Sequence, residues 1–196
     1  WVTYPPGFDP KKKYPLVQLL HGGPHTMVRD AFSPRWNSHV FASPGYIVAS
    51  VNRHGSTGFG EAYARSINGA WGDKPTEDVL KANDYLFATI PAIDRNNVAA
   101  AGASYGGYLA TWLLGHTKAF KALVNHAGVS DFMGQYGAET AAYGFTKEVL
   151  GGTPWDSPEA MQRNNPVAYA ANFATPMLIT HGEKDYRVPY GQGIAL

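Results

Sequence analysis

Short apolar runs alternate with longer amphipathic ones along most of this chain. The run over residues 14–20 ends in Leu16-Val17-Gln18-Leu19-Leu20, and those over 46–52, 122–124 and 177–180 are of similar character. Each is short and bounded by turn residues, as buried strands are. Between them lie stretches with helical spacing. Phe32, Trp36, Val40 and Phe41 predict a helix over 29–41. Val79, Ala82, Leu86 and Phe87 predict another out to Ile90, with Thr76 as its cap and Glu77 and Asp78 facing the helix dipole. Residues 105–114, closed by Gly115, form a third, and the aromatic-rich stretch 132–150 reads as a covering helix. Ser157-Pro158 opens a further helix that Asn164-Asn165-Pro166 ends. Residues 91–97 read as a connection. Strands alternating with helices imply a mostly parallel sheet with helices on both faces.

The 196 residues suffice for one domain with a sizeable core. Apolar residues make up 44% and charged residues 16%, which excludes a disordered chain. The net charge is +1 and the longest basic run is Lys11-Lys12-Lys13, so nothing favours nucleic acid or an anionic membrane. No apolar run approaches the length of a membrane span. The absence of cysteine rules out disulfides, thiolate metal sites and a cysteine nucleophile. No metal or organic cofactor is implied.

The chemistry gathers where strands stop. Gly102-Ala103-Ser104-Tyr105-Gly106 follows an apolar run and precedes a helix, which fits the nucleophile elbow of α/β-hydrolases. Glycine on both sides of the turn removes Cβ atoms that would collide and tolerates positive φ. Ser104 is then held clear of the sheet next to helix N-terminal amides able to stabilise an oxyanion. His21-Gly22-Gly23-Pro24-His25 follows the strand at 14–20, where a loop of this type supplies an oxyanion amide. Asp185 sits in a turn past the strand at 177–180, and serine before acid matches the hydrolase chain order. Arg53 and His54 also stand at a strand end, with Arg53 reading as a structural ion-pair partner.

In this fold the third member, a histidine, lies after the acid. The seven histidines are His21, His25, His39, His54, His116, His126 and His181, and none follows Asp185. His181 stands on the strand end that presents Asp185, and His126 precedes it in the wrong order. The expectation is therefore a partial α/β-hydrolase catalytic domain over residues 1–196, with its last strand and histidine loop missing.

Four segments together resemble the catalytic domain of the prolyl oligopeptidase family, most nearly its bacterial dipeptidyl-peptidase and acylaminoacyl-peptidase branches. They are Leu20-His21-Gly22-Gly23-Pro24, Gly102-Ala103-Ser104-Tyr105-Gly106-Gly107-Tyr108, Gly151-Gly152-Thr153-Pro154-Trp155 and His181-Gly182-Glu183-Lys184-Asp185-Tyr186-Arg187-Val188-Pro189. The resemblance implies Ser104 as nucleophile, Asp185 as the acid that orients the histidine, and the Tyr105 amide as one oxyanion donor. The second donor is the amide of Gly22 or Gly23, with the His21 imidazole as an alternative, because His21 matches a position where some members carry a tyrosine donor. Arg187 matches a position that contacts substrate carbonyls. Val188 matches one lining the pocket for the residue before the scissile bond, which Tyr136, Tyr143 and Phe145 join. The resemblance also implies short peptide substrates and an N-terminal β-propeller in the parent protein, and it leaves an oligomer possible. Two other readings stay open: a carboxylesterase of the same fold, and a non-catalytic hydrolase-fold binding module.

Overall fold

A computed structural model describes residues 1–139 and 142–196. Six strands form one sheet: β1 (Val2–Thr3), β2 (Tyr14–Leu20), β3 (Ile47–Ala49), β4 (Ile93–Ala103), β5 (Ala122–His126) and β6 (Met177–Thr180). Their spatial order is β1-β3-β2-β4-β5-β6, with β1 antiparallel to β3 and every other pair parallel. Side chains alternate between two faces, as the pleat requires. Leu16, Leu20, Ile47, Ala49, Val98, Ala100 and Leu123 enter the main core. Leu19, Val48 and Ala101 enter a smaller cluster with Val17 and Val124 packed beside it.

Helices cover the two faces unequally. The main core takes side chains from α3 (Asp73–Thr89), α4 (Tyr105–His116), α5 (Phe132–Ala138), α6 (Ala142–Leu150) and α7 (Pro158–Asn164). The second face is covered by α1 (Ser38–Ala42), through Phe41 and Ala42, together with Trp36. Among the described residues there are also the short helices α2 (Glu61–Arg65) and α8 (Gly191–Ile194) and a 3-10 helix, Pro166–Asn172. α4 is buried from Tyr105 to Gly115, as its apolar character on all sides dictates.

Four predicted elements differ from the structure. The helix over 29–41 shrinks to α1, capped by the Asn37 side chain, because Pro34 lies mid-run and removes an N–H while crowding the preceding turn. Phe32 is left exposed. α3 begins at Asp73, ahead of Thr76, since Pro75 falls in the first turn where a missing N–H costs nothing. The Thr76 hydroxyl is buried there without a hydrogen-bond partner among the described residues. Residues 93–94 extend β4 by pairing with Tyr14 and Pro15, and the register then jumps so that Leu16 faces Val98. The single helix over 132–150 is instead α5 and α6; Thr140 and Ala141, which it included, lie outside the described residues.

Candidate active site

Ser104 stands between β4 and α4, exposed, at φ 58° and ψ −120°. Its amide donates to the His126 carbonyl on β5 at 2.9 Å, and its carbonyl accepts from Tyr108 N–H at 2.9 Å. The turn is tight enough that neighbouring glycines cannot be replaced freely. A Cβ on Gly106 would fall well inside van der Waals contact of the Leu20 carbonyl oxygen, and one on Gly102 would strike the Gly106 backbone. Close backbone approach explains both glycines; the positive φ belongs to Ser104 itself.

The loop after β2 lies against the elbow. A Cβ built on Gly22 would be 3.6 Å from Ser104 Cβ. Tyr105 opens α4, so its N–H is among those with no acceptor within the helix. Its side chain is buried, and its hydroxyl donates to the Trp71 carbonyl at 2.5 Å. Burial pushes that hydroxyl's pKa up to about 12, so it stays protonated.

The His21 ring is committed on both sides. Nδ1 lies 2.8 Å from the Gly22 carbonyl oxygen and Nε2 2.8 Å from Ser56 Oγ. A carbonyl only accepts, so Nδ1 carries the proton and Nε2 accepts from the Ser56 hydroxyl. Thr26 Oγ1 donates to the same Gly22 carbonyl at 2.9 Å. Burial, then the nearby Arg53 charge, lower the His21 pKa to about 4, leaving a neutral ring. The imidazole thus has no free N–H for an oxyanion. His21, Gly22, Gly23 and Ser104 share a cavity of about 1070 Å³ with Trp36 and Arg29.

Asp185 lies beyond β6 at the same end of the sheet as Ser104, since β4, β5 and β6 run parallel and Ala103, His126 and Thr180 stand in register. Its Oδ1 accepts from the amides of Arg187 (3.0 Å) and Val188 (2.9 Å). His181 Nε2 donates to the Val188 carbonyl at 2.6 Å and stays 3.9 Å from Asp185 Oδ2. His126 turns Nδ1 to Thr180 Oγ1 at 2.8 Å, and its ring approaches Trp36. Neither ring joins Ser104 to Asp185.

The remaining candidates are partly brought together. Arg187 reaches over Phe145, 5.6 Å from the ring centroid, and pairs with Glu139. Val188 is buried in the main core. Phe145 packs edge-on to Trp71 and Tyr136 edge-on to Trp155. Tyr143 is exposed beside Lys147. Glu139 escaped the sequence reading, having no motif around it. Its carboxylate is 1% exposed and also accepts from Gln135 Nε2, which in turn donates to the Arg187 carbonyl.

Arg53 corrects the sequence reading. It is 1% exposed, yet no ion pair forms at it among the described residues. Asp78, whose charge acts on Arg53, accepts instead from the His54 amide and Nδ1 at 2.6 and 2.7 Å. The guanidinium lies 4.1 Å above the Tyr105 ring and donates from Nη2 to the His21 carbonyl at 2.7 Å.

A serine on a strained strand-to-helix turn, at the carboxyl end of a mostly parallel sheet flanked by helices, defines an α/β-hydrolase fold. The chain belongs to the prolyl oligopeptidase family, whose model matches residues 31–196. It is 40% identical over 200 residues to dipeptidyl-peptidase 5 of Aspergillus fumigatus, spanning 100% of this chain and 28% of that protein. The uncomplexed Pyrococcus horikoshii acylaminoacyl peptidase superposes with a TM-score of 0.91 at 31% identity, covering 100% of this chain and 31% of the other. An acylaminoacyl peptidase in complex with Z-Gly-Gly-Phe-chloromethyl ketone superposes at 0.92 with 31% identity and the same coverage. The chain thus spans less than a third of the length of these relatives.

Proposed function

We propose that residues 1–196 carry the serine and the acid of a serine peptidase that acts on short peptides. The observation that carries this reading is Ser104 itself, exposed in strained backbone at the head of α4 with Gly22 against it. Ser104 Oγ attacks the peptide carbonyl, its proton passes to an imidazole and then to the leaving amine, and water releases the acyl group. The Tyr105 N–H and the N–H of Gly22 or Gly23 stabilise the oxyanion; the His21 ring, with both nitrogens engaged, does not serve as donor. Asp185, with Oδ1 fixed by two amides, orients the imidazole. Neither His126 nor His181 is placed to be that imidazole, their rings being held by Thr180 Oγ1 and the Val188 carbonyl. Arg187 and the Phe145 side of the Tyr136 to Phe145 aromatic wall flank the acyl portion of the substrate, with Val188 beneath and Tyr143 at the rim. The greater length of the relatives is consistent with a further domain, which the family resemblance suggests is an N-terminal β-propeller.

The complete gene product, assayed on dipeptidyl amides, N-acylaminoacyl amides and simple alkyl esters, tests this reading. It predicts amide hydrolysis that Ser104→Ala abolishes. Ester hydrolysis without amide hydrolysis would assign a carboxylesterase, and no turnover of either a binding module.

A further inference from the structure

Arg53 is a buried cation with no ion pair, and its Nε has no partner among the described residues. Such a charge is costly to bury unless something else requires it. Its two firm contacts fall on the two segments that bear the oxyanion amides. The guanidinium carbon lies 4.1 Å from the centroid of the ring of Tyr105, the residue after Ser104, and Nη2 donates to the carbonyl of His21, the residue before Gly22. A weaker bond at 3.3 Å reaches the His54 carbonyl.

The peptide plane turns these contacts into an orientation. The His21–Gly22 bond is trans, so its C=O and N–H point in opposite directions. Holding the His21 carbonyl on Arg53 therefore fixes the direction of the Gly22 N–H, in the loop that packs against Ser104. The next plane is held from the same residue: His21 Nδ1–H and Thr26 Oγ1 bind the Gly22 carbonyl, which directs the Gly23 N–H the other way. Whichever glycine donates, its plane is anchored through His21, and His21 through Arg53. The cation–π contact with Tyr105 ties the residue that bears the opposite donor to the same group.

We infer that Arg53 is a positioning residue of the oxyanion hole, clamping the His21-Gly22-Gly23 loop and the Tyr105 elbow at a fixed separation. This rests on the reading of Ser104 as nucleophile. A residue acting in this way affects the tetrahedral oxyanion more than the bound substrate, so it acts on kcat and leaves KM alone.

The test uses the complete gene product with Arg53→Met and Arg53→Lys, a p-nitrophenyl ester as substrate and an alkyl trifluoromethyl ketone as inhibitor, whose adduct carries an oxyanion. Arg53→Met should lower kcat by about 100-fold, the scale of losing one oxyanion donor, and weaken the ketone by a similar factor. KM should stay within about 3-fold, and Arg53→Lys, which keeps charge and bulk without the planar fork, should fall between. Folded variants with kcat within about 3-fold of the parent, or a loss confined to KM, would overturn the inference. So would failure of both variants to fold, which would assign Arg53 to the core alone. Activity surviving Ser104→Ala would sink the underlying reading instead, whatever the Arg53 variants do.

Discussion

Ser104 holds a backbone conformation that L residues avoid, at a cost on the order of 1–3 kcal/mol. That strain is separable from the hydroxyl's chemistry. Ser104→Gly and Ser104→Ala both remove the hydroxyl, but only glycine relieves the strain. The glycine variant should be more stable than the alanine variant by about 1 kcal/mol in urea unfolding. Equal stabilities would mean that the elbow is relaxed. His21 gives a pH signature. Burial lowers its pKa from the ordinary 6.5 to about 4, so between those limits the unfolded chain binds a proton that the folded chain refuses. Stability should therefore decline as pH falls from about 6.5 to about 4, by at most about 3 kcal/mol from this group. His21→Gln should flatten that part of the stability–pH curve measured by denaturant titration; an unchanged slope would place the imidazole in solvent.

The elements that present the site owe their positions to a few polar side chains. Asp131 caps α5, accepting from the amides of Met133 and Gly134 at 3.3 and 2.9 Å, and also takes a bond from Asn165. Asp131→Ala should cost about 1–2 kcal/mol of stability, read as a lower Tm, with the Ser104 hydroxyl still reactive. The apolar runs at 14–20 and 122–124 and the Gly102-to-Gly106 turn were legible in the sequence because burial and close backbone approach leave a local mark. So was α7, with Pro158 at its first position. The stretch at 29–41 misled because its helical spacing outlasts Pro34, and Thr76 because a capping residue and a proline compete for the same turn. Arg53 and Glu139 stayed illegible as site residues: their partners lie 32 and 48 residues away, in His21 and Arg187, and no local pattern encodes such pairings.

The sheet order assembles the whole. β5 lies between β4 and β6, so Ser104 and Asp185 rise from strand ends two positions apart, roughly 10 Å at the usual strand spacing. That gap is of a size that an imidazole bound between the two side chains can bridge. The same parallel arrangement aims the N-terminus of α4 at the site, and the helices gathered on one face bury α4 from Tyr105 to Gly115. Every step of the proposed chemistry returns to the Ser104 hydroxyl. The most direct measurement is fluorophosphonate labelling of the complete gene product, with the adduct located by tandem mass spectrometry. The account predicts a single adduct on Ser104 that Ser104→Ala eliminates; an adduct on another serine such as Ser56, or labelling that persists in Ser104→Ala, would contradict it.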